Sequence, residues 1–431
     1  MPKIKKQELQ APKGMHDILP PEQPYWAFVL KKAKHIIEDY GFERIDLPLV
    51  EATSLYQRST GESTDIVQKE MYTFKTKGGE QLSLRPEFSP GIIRAYIEHG
   101  MHVLPHPIQL WTYGPLFRHD NPQAGRYRQF HQINVEMLGD ESPACDAQLI
   151  FVAYKYFESL GLKNIVVHIN SIGDPNCRVH YLKALKDSLR GGDKKLCSAC
   201  QNRLKTNPLR LLDCKVEQCR EMSKNIPQVV DYLDAECKKH FTQVLEFLDE
   251  IKVPYLLDHR LVRGLDYYTR TVFEFFVEEK ENEVNTLALG GGGRYDRLVQ
   301  LMGGQKTPAV GWALGVERII SALKEQKISM PESHSQPKVF LAQLGELAKR
   351  KSILLFEEFR KTGISAKATF GRDSIKSQLK VANRLGINYT LIMGQKESLD
   401  DTVIVREMNS GVQETVPVER VIDLIRQKLR K

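Results

Sequence analysis

Hydrophobic and polar positions repeat with two different periods along the chain and predict a mixed order of helices and strands. Residues 23–40 place apolar side chains three and four positions apart, which predicts an amphipathic helix that stops at Gly41. Residues 107–118 and 126–138 mix large apolar with polar side chains, as two long antiparallel strands with one functional face would. The run at 44–51 predicts a strand that is broken by a proline.

Further along, the pattern changes twice. Residues 174–251 are helical in pattern and rich in Lys, Arg, Cys and Leu, which indicates a helical insertion. The polar segment 326–337 contains two prolines and predicts a linker. Beyond it, apolar strands alternate with helices, which predicts an α/β domain with parallel strands. The expected organisation is α+β, with one domain at 1–325 and a second at 338–431.

Composition places the chain among ordinary globular proteins. Of its 431 residues, 41% are hydrophobic and 27% charged, and no apolar run is long enough to span a bilayer. The basic first residues lack the apolar core of a signal peptide, so a cytoplasmic protein is expected. The net charge of +8 is concentrated at 336–431, where 18 Lys and Arg face 11 Asp and Glu. This excess predicts either a polyanionic partner or simply a solvated basic face.

Four of the seven cysteines lie close together in the sequence: Cys197, Cys200, Cys214 and Cys219. The first two form a C-x-x-C pair that could begin a zinc site. The other two are irregularly spaced and no histidine pair completes the set. The sequence therefore favours reduced thiols that pack as small apolar side chains, and neither zinc nor any other resident metal is expected.

Glycines and arginines suggest a ligand site. The common nucleotide-binding loops are absent, and GGGGRYD at 290–296 indicates either a tight turn or a close approach of backbone to a ligand. Several arginines lie beside predicted strands or at a helix start, and together they predict an anionic substrate. They are Arg85, Arg118, Arg126, Arg128, Arg263 and Arg318.

Five sequence blocks occur in a fixed order along the chain: LRPE (84–87), FRHDNPQAGRYRQFHQINVE (117–136), LVRGLDYYTRTVFE (261–274), LGGGGRYD (289–296) and PAVGWALGVERII (308–320). They resemble the blocks of class II aminoacyl-tRNA synthetases, and specifically of the histidyl-tRNA synthetase family, over almost the full length. The third block is typical of the histidine enzymes.

The resemblance implies an architecture and a reaction. The architecture is an antiparallel six-stranded sheet flanked by helices, a helical insertion, and a C-terminal α/β domain that binds the anticodon. The reaction joins L-histidine to ATP as histidyl-adenylate and then transfers histidine to the 3′ end of tRNA(His), releasing AMP and pyrophosphate. Magnesium accompanies ATP, no prosthetic group is implied, and a homodimer without a membrane partner is expected.

The resemblance also implies residue roles for ATP and tRNA. Arg118 and Arg263 contact the α-phosphate, Arg318 binds the γ-phosphate end and covers the adenine, and Phe130 stacks on the other adenine face. Asp120 stands where a longer glutamate is usual, which shortens its reach to ATP. Three residues in or beside the 118–128 loop turn toward the tRNA end: Gln123, Arg126 and Arg128.

For the amino acid, the resemblance assigns Glu87, Ser89 and Gln132 to the α-ammonium. Glu136 and Tyr268 meet the imidazole, with Tyr267 beside them, although strand alternation predicts that only one tyrosine faces the ligand. Phe88 replaces a glycine of the family pattern and adds bulk near the ammonium.

Two other functions are compatible with parts of this pattern. A catalytically inactive synthetase-like protein, regulatory or tRNA-sensing, would share the fold but often lacks the ATP arginines, the histidine block or the C-terminal module. All three are present here. A structural nucleic-acid-binding protein is suggested by charge alone and would not need these motifs. A histidine–tRNA ligase is therefore the favoured prediction.

Overall fold

The computed structural model describes residues 9–61, 64–123, 125–190, 192, 195–223, 226–278, 288–330, 337–371 and 374–430. The chain divides into two compact units, Met1–Ser329 and Met330–Lys431. The predicted linker at 326–337 spans this boundary, and its residues 331–336 lie outside the described residues. In the described ranges, no helix is both long and apolar enough to cross a membrane.

The first unit combines ten α-helices and eleven strands in its described residues. The helices are α1 Gln23–Asp39, α2 Thr53–Thr60, α3 Ser89–Glu98, α4 Pro143–Ser159, α5 Pro175–Ser188, α6 Ser198–Thr206, α7 Glu217–Met222, α8 Ala235–Glu250, α9 Leu298–Leu301 and α10 Val316–Glu325. The strands are β1 Glu43–Arg44, β2 Val50–Ala52, β3 Thr73–Lys75, β4 Gln81–Leu84, β5 Ile108–Phe117, β6 Gln129–Leu138, β7 Ile165–Ser171, β8 Tyr255–Leu257, β9 Thr269–Val277, β10 Gly290–Arg294 and β11 Ala309–Gly315.

The main sheet has the strand order β1-β5-β6-β11-β10-β9-β7-β8. Its six inner strands are antiparallel, which confirms the predicted core, and the short strands β1 and β8 add parallel edges. Helix α4 covers one face, where the Trp312 indole donates to the Leu149 carbonyl at 2.9 Å. Since neighbouring side chains on a strand point to opposite faces, Gly311 belongs to the other face.

The local structure of two predicted runs can be compared with the sequence. The run at 44–51 is broken at Pro48 as predicted, and its ends belong to the separate strands β1 and β2. Ser89 begins α3, and its hydroxyl donates to Glu136. The glycine run is neither a turn nor a loop, and forms the inner strand β10 between β9 and β11.

The second unit contains a five-stranded sheet. Its elements are β12 Val339–Gln343, α11 Glu346–Lys361, β13 Ala366–Ala368, α12 Ile375–Arg384, β14 Tyr389–Met393, α13 Gln395–Leu399, β15 Thr402–Glu407, β16 Gln413–Pro417 and α14 Val418–Arg430. The three strands β13-β12-β14 are parallel as predicted. Strand β15 pairs antiparallel with β14, and β16 pairs antiparallel with β15. Apolar clusters cover both faces, one including Phe359 and Ile425 and the other Ala382.

A buried ion pair fixes the glycine strand to the start of α4. Arg294 at the end of β10 is fully buried, and its Nε donates to Asp146 Oδ2 at 3.0 Å. Its Nη1 donates to the Asp140 carbonyl and to Asp296, each at 3.1 Å, and its Nη2 to the Ser142 carbonyl at 3.1 Å. Every side of the guanidinium is therefore used inside the fold.

We predict that Arg294→Met destabilises the first unit by about 3–5 kcal/mol, because it leaves the buried Asp146 carboxylate without its charged partner. Urea unfolding followed by tryptophan fluorescence measures this, since the three tryptophans, Trp26, Trp111 and Trp312, all lie in the first unit. The control is Arg190→Met, which breaks an exposed pair with Asp187 and should leave the midpoint unchanged. Equal midpoints for both variants would contradict the prediction.

Candidate active site

One cavity of about 380 Å³ opens on the face of the main sheet that α4 does not cover. Its wall combines the β4–α3 turn, strands β6, β10 and β11, and the segment before β9. Most of the site residues predicted from the sequence line this cavity. They are Glu87, Phe88, Ser89, Arg118, Asp120, Arg126, Phe130, Gln132, Arg263, Tyr267, Tyr268 and Arg318.

Among the predicted residues, four do not line it: Arg85, Gln123, Arg128 and Glu136. Gln123 lies in the loop after β5 and pairs its backbone with Arg126. Arg128 packs against Gly14, and its Nε donates to the Asp120 carbonyl at 3.2 Å. Glu136 is only 1% exposed and lies beneath the cavity surface.

Glu87 is a buried carboxylate held by two hydroxyl groups. Thr60 of α2 donates to its Oε1 at 2.6 Å and the Tyr267 hydroxyl to its Oε2 at 2.8 Å. Burial raises the pKa of Glu87, while these hydrogen bonds and the nearby Arg118 oppose that shift. A cation that entered the cavity beside Glu87 would favour its charged form.

Glu136 accepts hydrogen bonds from the Ser89 hydroxyl at one oxygen and from the Tyr295 hydroxyl at the other. Burial raises the pKa of Glu136 to about 7, although both hydroxyls lower it and Glu87 raises it further. The carboxyl group therefore positions two cavity side chains, Ser89 and Tyr295, from below.

Glycines make room for these groups on the sheet. A Cβ at Gly311 would overlap the Glu136 carboxylate. A Cβ at Gly291 would lie 2.8 Å from Arg263 Nη1, and one at Gly293 would lie 2.9 Å from the Tyr268 ring. Side chains from neighbouring segments can therefore lie directly on the backbone of β10 and β11.

Arg263 is held over this glycine surface. Its Nη1 donates to Glu274 of β9, and its guanidinium lies 5.6 Å from the centre of the Tyr268 ring. Burial lowers the pKa of Arg263, but Glu274, Tyr268 and Tyr267 together outweigh burial and the net shift is upward. The group therefore stays cationic inside the cavity, with one edge fixed by Glu274.

Two further arginines face the same cavity. Arg118 donates from Nε to the Pro86 carbonyl at 2.9 Å, and its guanidinium lies 5.6 Å from the centre of the Phe130 ring. Arg318 donates to the carbonyls of Gly125 and Ala288 at 3.2 and 2.7 Å. The acceptors in these hydrogen bonds are neutral carbonyl groups, so the positive charge of both guanidinium groups is available to an anionic ligand.

The charge around Arg318 is crowded. Burial lowers the pKa of Arg318, and three nearby arginines lower it further: Arg126, Arg118 and Arg263. Asp120 compensates for only part of this charge, since it pairs with Arg126 at 3.3 Å on the loop. Positive charge is therefore concentrated around Arg318, and an anion bound there would relieve it.

Two predictions about individual residues are wrong. Arg85 does not face a ligand, because its guanidinium donates to the main-chain carbonyls of Leu47, Pro48 and Pro115 and supports the fold. Tyr267 and Tyr268 both line the cavity, because they precede β9 and strand alternation does not apply to them.

Phe88 occupies little of the cavity despite its size. Its ring is 1% exposed and lies 4.6 Å from the Arg85 guanidinium, on the side of Gly114. The added bulk of this departure from the family pattern is therefore used in packing.

The sequence reasoning missed several functional candidates. Thr60 and Tyr295 hold the two buried carboxylates, and Glu274 holds Arg263. Tyr295 lies in the block LGGGGRYD and Glu274 in the block LVRGLDYYTRTVFE, so their positions in these blocks could have identified them as candidates. Thr60 lies in no such block. Four more lining residues carry charge and were also missed: Asp65, Glu70, Arg210 and Glu317.

We predict that the free energy of unfolding of the wild type decreases, relative to that of the Glu136→Gln variant, as the pH rises from 5 to 7. The folded-state pKa of Glu136 is raised from 4.5 to about 7, so its contribution is fully present below the unfolded value and is lost as pH rises toward the folded value. The difference is on the order of 3 kcal/mol. Urea unfolding at several pH values measures it. The control, Glu80→Gln at an exposed turn, should keep the wild-type profile, and a parallel profile for Glu136→Gln would contradict the prediction.

Comparison with known proteins gives a consistent result over the whole chain. The histidyl-tRNA synthetase family model matches residues 14–319, and the anticodon binding domain model matches residues 338–428. Histidine–tRNA ligases of Dehalococcoides mccartyi and Caldicellulosiruptor saccharolyticus are each 44% identical to this chain. These alignments cover 97% and 98% of the chain and all of both relatives.

A solved structure agrees with these sequence relatives. The apo histidyl-tRNA synthetase of S. aureus superposes with a TM-score of 0.78 at 34% identity, over 96% of this chain and 99% of that one. Because the family model covers most of the chain and the relatives match it from end to end, the chain belongs to the histidyl-tRNA synthetase family.

Proposed function

We propose that this protein is a histidine–tRNA ligase and that the cavity on the main sheet binds both ATP and L-histidine. The observation that carries the proposal is the convergence of Arg118, Arg263 and Arg318 on one cavity that also contains a buried carboxylate, Glu87. Guanidinium groups match a polyphosphate, and a buried carboxylate matches the α-ammonium of an amino acid.

In the first step, the histidine carboxylate attacks the α-phosphorus of ATP and pyrophosphate leaves. The protein supplies no nucleophile, so its task is to align two anions and stabilise the charge that develops between them. Arg118 and Arg263 are assigned to the α-phosphate, and Arg318 to the γ-phosphate end. Phe130 is assigned to the adenine face, and Mg²⁺ enters as the companion of the ATP phosphates.

Histidine is assigned to the side of the cavity with Glu87, Ser89 and Gln132. Glu87 takes the α-ammonium, since its oxygens are already oriented by Thr60 and Tyr267. The tyrosine pair, with rings 4.8 Å apart, lies beside the imidazole. Glu136 acts there through the hydroxyls that it holds. A buried polar pocket of this kind disfavours apolar amino acids, because they leave its groups unpaired.

In the second step, a hydroxyl of the terminal tRNA ribose takes histidine from the adenylate and AMP leaves. Gln123, Arg126 and Arg128, in the loop after β5, are assigned to the tRNA end. We assign residues 338–431 to the anticodon, where bases are read in a single strand, and residues 174–251 to the acceptor stem. The match of the anticodon binding domain model supports the first of these assignments.

The quaternary state and location are part of the same proposal. Exposed apolar side chains lie beside Pro48, in β3 and in the turn after α3: Leu49, Phe74, Val103 and Leu104. Such side chains favour burial against a second copy of the chain, and we propose a homodimer in the cytoplasm. No observation favours the alternative of a catalytically inactive synthetase-like protein.

We predict that the purified protein exchanges labelled pyrophosphate into ATP only when L-histidine is supplied, and that Arg263→Ala lowers this rate by about 10²–10³-fold or more. The variant removes a cation that acts where charge develops. Pyrophosphate-exchange kinetics measure the rate, and calorimetry shows whether histidine still binds.

The control for this variant is Arg270→Ala. Arg270 is close to Arg263 in the sequence, but it pairs with Glu236 and does not line the cavity. It should exchange at the wild-type rate. Exchange that is equal with every amino acid would reject the ligase proposal, and a full rate for Arg263→Ala would reject only the role given to Arg263.

We predict that a chain ending at residue 329 retains pyrophosphate exchange but charges tRNA with a kcat/KM lower by about tenfold or more, because phosphate and base contacts are lost. The cut falls at the boundary between the two units. Tryptophan fluorescence verifies that the remaining unit is folded. If charging were unaffected, the anticodon assignment would be wrong.

A further inference from the structure

Four thiol groups meet in the helical insertion, away from the residues assigned to catalysis. The Sγ atoms of Cys197, Cys200, Cys214 and Cys219 all lie within 4.8 Å of one another. The Sγ atoms of Cys197 and Cys214 are 4.0 Å apart, and all four residues are free cysteines. Three of the four are buried, and Cys197 is partly exposed.

These distances correspond to metal ligands better than to disulfide bonds. Four sulfurs placed tetrahedrally at about 2.3 Å from a zinc ion lie about 3.8 Å from each other. A disulfide needs an S–S distance of about 2.05 Å, which the 4.0 Å pair does not approach. Both cysteine pairs, separated by two and by four residues, fall within the spacing seen in structural zinc sites.

Local structure brings the four side chains to one point. Cys197 immediately precedes α6 and Cys200 lies in its first turn, whereas Cys219 lies in α7. Cys214 follows a 3₁₀ turn at Pro208–Leu211. The backbone N–H of Cys197 donates to Cys219 Sγ at 3.3 Å, a bond that a thiolate accepts well.

We propose that these four cysteines bind one Zn²⁺ ion in a closed structural site. Each thiol loses its proton to solvent and coordinates as a thiolate, so the step involves no electron transfer and no other reactant. A four-sulfur tetrahedral set selects zinc among the common divalent ions. This reverses the expectation drawn from sequence spacing alone.

The second cysteine-containing cluster does not support the same inference. Asp174 accepts from the backbone N–H groups of Asn176 and Cys177, and Asp234 accepts from that of Cys237. Its oxygen ligands are therefore already used as helix caps. Cys237 of this cluster and the separate buried Cys145 provide matched controls.

The zinc site would stabilise a segment that is built from short helices. Helix α6 has nine residues and α7 has six, lengths at which an isolated helix is unstable. Asp213, next to Cys214, accepts from Arg210 Nε at 3.2 Å, and Arg210 Nη1 donates to Asp65 at 3.3 Å. Both Arg210 and Asp65 line the cavity, so the metal would also position this part of its rim.

The first experiment measures metal content in the purified full-length chain, expressed with zinc in the medium, by inductively coupled plasma mass spectrometry. The expected result is one zinc per chain for the wild type and for the controls Cys145→Ser and Cys237→Ser. Cys200→Ser and Cys219→Ser should lose the metal. Retention of zinc by both of these variants would place the ion elsewhere and overturn the proposal.

The second experiment remains decisive if the cysteine variants do not fold. Wild-type chain, reduced and freed of metal with a chelator, is titrated with Co²⁺ and then with Zn²⁺. Four thiolates around Co²⁺ give strong visible bands and a sulfur-to-metal charge-transfer band, which saturate at one equivalent and disappear when Zn²⁺ is added. Absence of these bands, together with no zinc in the purified protein, would reject the site independently of enzymatic activity.

Discussion

The close approach of side chains to a glycine surface is the constraint on which the site depends. Gly291 and Gly311 lie in inner strands, where any side chain would occupy the space taken by Arg263 and by Glu136. Glycine normally destabilises the interior of a strand, because it has no side chain to pack and loses more backbone entropy on folding than other residues do. Here the hydrogen bonds to both neighbouring strands and the buried Arg294 compensate for that loss.

A second constraint is electrostatic and follows from the first. Since Arg263 lies on the sheet, Arg118 and Arg318 have to share the same enclosed space, and their mutual repulsion contributes to the lowered pKa of Arg318. Holding like charges together in this way lowers the stability of the fold. A polyphosphate bound in the cavity, as proposed, would offset this repulsion.

Much of this could be predicted from the sequence. The long strands β5 and β6 and the parallel core of the second unit followed from side-chain periodicity, and the quoted blocks located most of the cavity lining. The sequence could not distinguish Arg85 from Arg118. A buried arginine that binds main-chain carbonyls lies in the same kind of sequence as one that is free to bind a substrate phosphate. The meeting of Cys214 with Cys197 depends on a 3₁₀ turn and two short helices, which periodicity does not resolve.

The two buried carboxylates show how one cavity can recognise a zwitterion. Each oxygen of Glu87 accepts one hydrogen bond, from the hydroxyl of Thr60 or of Tyr267. Glu87 lines the cavity, where an ammonium group can reach it. Glu136 lies below, and its raised pKa allows it to remain protonated near neutral pH. If both carboxylates were exposed and charged, the cavity would favour the binding of two cations instead of one. With Glu136 buried, Glu87 is the carboxylate at the cavity surface for the ammonium of the proposed amino acid. The arginines that line the same cavity would attract the phosphates of the proposed nucleotide.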